Sequence, residues 1–484
     1  MPPAGVRARA DQLATLERLL HERLTAAEVG DWLAHLNGSG PSPAAEQAAP
    51  AGEPDVPADR DAALVRVARH DREKALRVPV SLRAELARAR SLGQHVWAQA
   101  RAADDFAAFL PALRELVVLT RRYIACFPDV EHPYDAVLDD YEPGMRTEQV
   151  RTVFAQLRDG LQPLIEAIDR SREAGLAPEP LRGPFPTDAQ RRLVQGLLLG
   201  VGFDPRQSRI DESQHPFSTA VSLEDLRITA RFTDDSLEAM FAGLHEFGHA
   251  LYDSQIDRAL ERTPLCAGVS SSMHESQSRL WENMVGRSRA GAAFLLPHLR
   301  EAFPGRFEDL DESGLYRAVN VVERSLIRVQ ADEVTYALHI IIRFELELEL
   351  FEGALEPEDL ALAWRERVRS YLGIEVPDDA RGVLQDIHWS FGGFGYFPTY
   401  ALGNLIAAQL WERICEDHPD LDESIAAGDF APLRSWLGSH VHRYGRMFTP
   451  AQTLRRAIGA ELDAKPLLDY LWAKHSDIHG VRRA

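Results

Sequence analysis

Helical periodicity over most of the chain is the feature that most limits what this sequence can fold into. Apolar residues recur at steps of three and four along 7–36, 60–125, 148–175, 187–203, 236–256, 272–300, 313–345, 357–372 and 400–417. That spacing puts the apolar side chains on one face of each helix, which then has to pack against other helices. The sequence therefore predicts a mainly α protein.

Two stretches alternate apolar and polar residues, as half-exposed strands do. Residues 225–232 show this alternation with β-branched content, and we predict a strand there. Residues 344–350 also alternate, but they continue a helical pattern that begins at Leu315 and has no turn signal, so we assign them to a helix. Residues 37–59 are rich in Gly and Pro, which favours an exposed, mobile loop.

Charge and cysteine content exclude several classes of protein. The formal net charge is −20, so the chain repels phosphate backbones and anionic lipid surfaces, and we expect no nucleic-acid or membrane partner. The three cysteines, Cys126, Cys266 and Cys415, stand far apart in the sequence, which fits a reducing cytoplasm. No apolar run reaches the ~18 residues that a membrane span needs, and we find no secretion signal.

The sharpest local signal is the five-residue motif from His245 to His249, in which Glu246 follows the first histidine. Side chains four residues apart on a helix lie roughly 40° apart in projection, so both imidazoles can reach one ion. Glu246 would then lie close enough to take a proton from water without ligating. The motif predicts a catalytic metal site on a helix that Asp235 and Glu238 would open as a capping box.

A catalytic zinc site needs a third protein ligand and one position open to water. Glu275 lies thirty residues after His245, far enough for one helix, a turn and a returning helix. The sequence from Ser272 to Glu275 also spells a capping box, so Glu275 could instead cap its own helix. Spacing alone leaves both interpretations open.

Six motifs in order resemble the thermostable metallocarboxypeptidases named after carboxypeptidase Taq. They are His215-Pro-Phe217, Asp225-Leu-Arg227-Ile-Thr229, the motif His245 to His249, His274-Glu-Ser-Gln277, Ile327-Arg328-Val-Gln-Ala331-Asp332, and Gly382-Val-Leu-Gln385-Asp386-Ile-His388-Trp389. The likeness continues through Tyr141-Glu-Pro-Gly144 on one side and Gly393-Phe-Gly-Tyr396 on the other, so it covers nearly the whole chain.

The resemblance implies one large, mostly helical catalytic domain over 1–484, with a deep groove and a small antiparallel sheet beside the zinc helix. It implies a homodimer that removes C-terminal residues from peptides. It makes His245, His249 and Glu275 the ligands of one Zn²⁺, with Co²⁺ as a possible substitute, and Glu246 the catalytic base. Family members usually begin further upstream, so it also predicts a first helix before Met1.

Several other residues are candidates for substrate binding or catalysis. The resemblance favours Arg328 as the group that grips the substrate's terminal carboxylate, with Arg227 and His215 as further contacts. The alternative for both arginines, which the pattern predicts to be buried, is an ion pair with Asp332 or Asp225.

His388 precedes a glycine-rich aromatic stretch that contains Tyr396 and Tyr400. Such groups suit hydrogen bonding to an oxyanion, and we predict that role for His388 and one of the two tyrosines.

The sequence thus predicts a zinc metallocarboxypeptidase, a hydrolase that acts on peptides with a free C-terminus. Two other functions fit the same residues. One is an oligo-endopeptidase with the same metal site, and the other is a metal-binding interaction protein without turnover. The intact Glu246 favours an enzyme over the second of these.

Overall fold

The computed structural model describes residues 6–36, 56–175 and 177–483, which are mostly helical, as predicted. The α-helices are α1 (Val6–Leu24), α2 (Ala27–Leu36), α3 (Val56–Arg77), α4 (Val80–Ala103), α5 (Phe106–Ile124), α6 (Asp135–Leu138), α7 (Thr147–Glu173), α8 (Thr187–Val201), α9 (Glu238–Ser254), α10 (Ser271–Arg279), α11 (Arg289–Ala302), α12 (Glu312–Ala318), α13 (Tyr336–Glu352), α14 (Leu360–Leu372), α15 (Pro398–Asp417), α16 (Leu421–Ala426), α17 (Ala431–His440), α18 (Pro450–Ile458) and α19 (Lys465–His479). None of the helices in the described ranges combines the length and hydropathy that a membrane span needs.

The chain divides into two compact units, where the sequence predicted one. The first unit contains the residues up to Thr152, Arg324–Ala331 and Thr335–Pro398. Its core includes α4, packed against α1 and α5, and the helix pair α13 and α14. The second unit contains Val153–Glu323, Asp332–Val334 and the residues from Thr399 onward. In that unit α9 packs against α8, α10 and the sheet.

A three-stranded sheet in the second unit lies against α9. Its strands are β1 (Ser208–Glu212), β2 (Ser218–Ser222) and β3 (Asp225–Ala230), so the strand predicted at 225–232 is confirmed over most of its length. The prediction of an antiparallel sheet is wrong, because β3 pairs antiparallel with β2 but parallel with β1. The tight β2–β3 hairpin reverses the chain, and β3 then inserts between β1 and β2.

The helix predicted over 313–345 is interrupted. After α12 the chain is irregular apart from a 3₁₀ turn at Arg328–Gln330, and helix resumes at α13, which contains the alternating residues 344–350 as predicted. Asn320 explains part of the break, because its side-chain amide donates to the Tyr316 carbonyl at 2.8 Å and to the Arg287 carbonyl at 2.9 Å. Apolar spacing alone carried no sign of these hydrogen bonds.

Smaller differences concern helix ends. The capping box predicted at Asp235 is wrong, because α9 begins at Glu238 with Leu237 as its N-cap. The segment predicted as one helix over 272–300 is α10, a π-helical segment at Leu280–Gly286, and α11. Residues 37–55 of the predicted loop lie outside the described residues, and 56–59 belong to α3.

Candidate metal centre

Helix α9 presents the two histidines of the five-residue motif. Their rings lie on the same side of the helix, with centroids 5.1 Å apart, and both side chains are largely buried. Apolar neighbours such as Leu244 and Phe247 fix the helix in the core of the second unit. The four-residue spacing has therefore produced the geometry it predicted.

Helix α10 brings Glu275 to these histidines. Its Oε2 lies 3.4 Å from Nε2 of His249 and 3.8 Å from Nε2 of His245. One ligand atom from each of the three residues lies within 4.8 Å of the other two. The N-cap of α10 is Ser270, whose Oγ accepts from the Met273 amide, so the alternative in which Glu275 caps its own helix is wrong.

Two glycines allow this close approach. A Cβ atom on Gly248 of α9 would lie 2.4 Å from the carbonyl oxygen of Gln277 on α10, and no real side chain tolerates that distance. A Cβ atom on Gly403 of α15 would lie 2.8 Å from Cβ of Glu275. Both glycines therefore let backbone pack directly against the segment that carries the third candidate ligand.

Arg279 holds Glu275 in its ionised form. The guanidinium Nε donates to Oε1 of Glu275 at 2.7 Å, which leaves Oε2 directed at the histidines. Burial alone would raise the pKa of Glu275, but Arg279 and His245 outweigh burial and hold that pKa well below its usual range. A carboxylate fixed as an anion beside two imidazoles is a suitable ligand for a divalent cation.

The two histidines differ in their electrostatic surroundings. Burial lowers the pKa of His249 to about 4, so this imidazole is neutral at physiological pH. Burial acts in the same direction on His245, but the carboxylates of Glu275 and Glu282 overcome it and raise the pKa of His245. A proton and a cation therefore compete more strongly for His245 than for His249.

Glu282 supports His245 from behind, and sequence reasoning missed it. Its Oε2 accepts a hydrogen bond from Nδ1 of His245 at 2.9 Å, which directs the lone pair on Nε2 towards Glu275. Burial would raise the pKa of Glu282, yet Arg279 and His245 lower it to about 2. The available signal was its position seven residues after Glu275, two helical turns along the same predicted helix.

Glu246 is buried beside these groups, with 5% of its surface exposed. Burial raises the pKa of Glu246 to about 7, although His245 opposes the shift. A carboxyl group with a pKa near neutrality can both accept and return a proton at physiological pH. Its setting agrees with the predicted role of general base.

The donor set fits a catalytic divalent cation. Two imidazole nitrogens and one carboxylate oxygen are the ligands of one common class of catalytic zinc site, and three protein ligands leave a position open. Within the described residues, this is the group of His, Cys, Asp and Glu side chains whose spacing could hold an ion.

Arg328 lies in the first unit, in the 3₁₀ turn rather than in the helix predicted for it. Its Nε and Nη2 donate to Oδ1 of Asp386 at 2.9 and 2.8 Å, and its Nη1 donates to the hydroxyl of Tyr336. Arg343 donates to the other oxygen of Asp386 at 2.7 Å. The ion-pair interpretation of Arg328 is therefore confirmed with Asp386 as the partner, not Asp332.

His388 and Tyr396 belong to the same unit as Arg328. Nδ1 of His388 lies 4.0 Å from Asp386, and its ring centroid lies 5.4 Å from that of Tyr396. Tyr400, on α15, belongs to the second unit. The structure thus gathers Arg328, His388 and Tyr396 in one cluster and the candidate metal ligands in another.

The remaining candidates lie at the sheet. Arg227 points to the exposed side of β3 and donates to both oxygens of Asp225 at 2.9 and 2.8 Å. That pair confirms the ion-pair alternative for Arg227, whereas the expectation that Arg227 is buried is wrong. His215 is an exposed residue in the connection between β1 and β2.

Comparison with known proteins identifies the family. The sequence profile described as carboxypeptidase Taq (M32) metallopeptidase matches residues 1–475. The chain belongs to the carboxypeptidase Taq family. Thermostable carboxypeptidase 1 of Thermus thermophilus is 41% identical over 492 residues, which cover 99% of this chain and 93% of the relative. Carboxypeptidase 1 of Bacillus subtilis is 38% identical over 418 residues, covering 86% of this chain and 83% of the relative.

Solved structures of the carboxypeptidase Taq family share the fold. The crystal structure of the M32 carboxypeptidase from Deinococcus radiodurans superposes with a TM-score of 0.88 at 39% identity, covering 99% of this chain and 94% of the other. A structure of Pyrococcus furiosus carboxypeptidase gives a TM-score of 0.89 at 34% identity, covering 98% and 93%. The protein is therefore a metallopeptidase of the hydrolase class, a metallocarboxypeptidase that uses a divalent metal and acts on peptides.

Proposed function

We propose that the protein is a zinc carboxypeptidase in which His245, His249 and Glu275 hold the ion and Glu246 is the general base. The observation that carries the proposal is the convergence of one donor atom from each of the three ligands within 4.8 Å. Zinc is the first choice because two imidazoles and one carboxylate match its catalytic sites, and Co²⁺ suits the same donors.

The chemistry divides between the cation and the protein. A divalent cation at this site supplies Lewis acidity to the peptide carbonyl and lowers the pKa of water. Glu246 accepts the proton of the attacking water and returns it to the leaving amine, a task that its buried setting supports. His388, with Tyr396 or Tyr400, donates hydrogen bonds to the negative charge that develops on the carbonyl oxygen.

A carboxypeptidase also needs a cation that recognises the free C-terminus. Arg328 remains the first candidate, because two guanidinium groups and one carboxylate in the cluster of Arg328, Arg343 and Asp386 leave one net positive charge. Arg227 is the second candidate and His215 a further contact. The exposed pair of Arg227 with Asp225 is worth little to stability, so this arginine can exchange partners at low cost.

Three coarser properties complete the proposal. We propose one catalytic domain over 1–484, since the family profile spans parts of both units. The family resemblance supports a homodimer, which light scattering would detect as twice the chain mass of 54.1 kDa. The three free cysteines support a reducing, cytoplasmic location.

Metal analysis combined with a peptide digest tests the function. We expect one tightly bound divalent ion per chain in the wild type and its loss in His245→Ala and His249→Ala, whereas the exposed His35→Ala should bind as the wild type does. Mass spectrometry should show residues removed one by one from the C-terminus. Full metal occupancy in both ligand variants would contradict the site, and internal cleavage of an amidated peptide would establish an oligo-endopeptidase.

A further inference from the structure

A second pair of side chains lies behind His249, on the side away from Glu275. His274, the residue before Glu275 on α10, places its Nδ1 2.6 Å from Nδ1 of His249. Asp253, one helical turn after His249 on α9, accepts from Nε2 of His274 at 3.1 Å. The order Asp253, His274, His249 is therefore a continuous chain of hydrogen bonds that ends on a candidate metal ligand.

The packing holds the middle ring in place. The His274 ring lies 4.7 Å from that of His249 and 5.2 Å from that of Tyr252, measured between centroids. The Tyr252 hydroxyl is itself fixed, because it accepts the backbone amide of Val269 at 3.2 Å. His274 thus has a defined orientation, set by residues on three segments of the second unit.

The hydrogen-bond directions follow from the chemistry of the groups. A carboxylate can only accept, so the hydrogen between Asp253 and His274 belongs to Nε2 of His274. A neutral His274 then carries its lone pair on Nδ1, and the hydrogen between the two histidines belongs to Nδ1 of His249. The lone pair of His249 is consequently on Nε2, the nitrogen that lies 3.4 Å from Glu275.

The same result is reached differently at the other histidine. His245 donates its Nδ1 hydrogen directly to the carboxylate of Glu282, whereas at His249 an imidazole stands between ligand and carboxylate. Both arrangements select the tautomer with a free Nε2 lone pair, and such outer groups usually set the affinity of a metal site.

We propose that His274 and Asp253 are positioning residues for His249: they fix its tautomer and ring orientation and thereby strengthen the binding of a divalent cation. This inference rests on the proposed metal site. Neither residue touches the cation. Asp253 acts only through His274, and this serial order distinguishes the proposal from two independent structural contacts.

The test measures Zn²⁺ affinity of the metal-free, full-length protein by competition with a chromogenic chelator. His274→Phe keeps a ring against Tyr252 but removes the acceptor for His249, and we expect affinity to fall about 10- to 100-fold. His274→Asn keeps an acceptor near the position of Nδ1 and should retain more affinity than His274→Phe. Asp253→Ala should weaken binding by less than His274→Phe, because water reaches this partly exposed side chain.

The double variant carries the decisive result. If Asp253 acts through His274, adding Asp253→Ala to His274→Phe should cause no further loss of affinity. Losses that multiply in the double variant, or affinities within twofold of wild type in all single variants, would overturn the inference. Melting temperatures of the metal-free proteins should stay near that of the wild type, and a fall in stability equal to the loss of affinity would also overturn it.

His249→Ala separates this inference from the proposed function. If His249→Ala loses the metal and His274→Phe does not, the metal site stands and the positioning role fails. If His249→Ala retains the metal, the proposed function itself fails.

Discussion

Replacing Gly248 by alanine should damage the metal site although the residue carries no chemistry. The new Cβ atom would lie 2.4 Å from the carbonyl oxygen of Gln277, whereas ordinary contact begins at 3.4 Å. Helices α9 and α10 would have to separate by about 1 Å to restore that contact in a close-packed core. Glu275 is on α10 and would move away from both histidines on α9.

The size of the effect follows from two comparisons. Metal–ligand distances tolerate roughly 0.2 Å, so a shift of about 1 Å removes Glu275 as a ligand, and we expect Zn²⁺ affinity to fall at least about 100-fold. Overpacking costs typically 1–3 kcal/mol, and the better helix propensity of alanine returns at most about 1 kcal/mol. The metal-free protein should therefore lose only about 0–2 kcal/mol of stability.

The assay is a chelator competition for Zn²⁺ together with thermal unfolding of the metal-free protein. Gly196→Ala on α8 is the matched control, because a Cβ atom there meets no other atom within 4 Å. This control should bind Zn²⁺ as the wild type does and melt at the same or a higher temperature. Gly403→Ala should reproduce the loss of affinity, since it crowds Glu275 from α15.

A Gly248→Ala protein that binds Zn²⁺ within threefold of the wild type would refute this reasoning. That result would mean that α10 shifts without carrying Glu275 away from the histidines. Equal losses of affinity in Gly196→Ala would refute it in another way, because the effect would then come from helix propensity and not from contact.

Three further outcomes are expected. Glu246→Gln should keep the metal and lose nearly all turnover, and a kcat above a tenth of wild type would place less than ~1.4 kcal/mol of the barrier on this residue and reassign the base. Arg328→Ala should retain the metal, lose about two to three orders of magnitude in kcat/KM and lose the preference for a free-acid peptide over its amidated twin, which a mass-spectrometric rate comparison checks. Burial raises the pKa of Glu347 from 4.5 to about 7. The folded protein therefore keeps a proton that the unfolded chain releases as pH rises through this window, which costs about 3 kcal/mol of stability between pH 4.5 and 7. Urea unfolding should show this loss in the wild type and not in Glu347→Gln, and parallel pH curves for the two proteins would contradict the assignment.

The part of the site that could be predicted is the part encoded within one helix. Four-residue spacing placed His245 and His249 on one face of α9, and alternation located β3. The approach of Glu275 needed the resemblance as well, because spacing left its capping role open. The structure removes that alternative by placing the helix start at Ser270.

Features that depend on contacts between distant segments could not be predicted from the sequence. The bond from His274 to His249 requires α9 and α10 to cross at Gly248, which no local pattern specifies. The Asp386 partner of Arg328 comes from a segment 58 residues away. The direction of β1 in the sheet likewise depends on which edge of the hairpin it joins, and not on its own residues.

The π-helical segment at Leu280–Gly286 has a consequence for how this region tolerates change. A π turn closes its hydrogen bond across one more residue than an α turn does, so the helix around Glu282 behaves as if one residue had been inserted. Removing a single residue from this segment would let it wind as ordinary α-helix and would rotate everything beyond it by roughly 100°. Sequence length is thus a more sensitive property of this segment than the identity of most of its side chains.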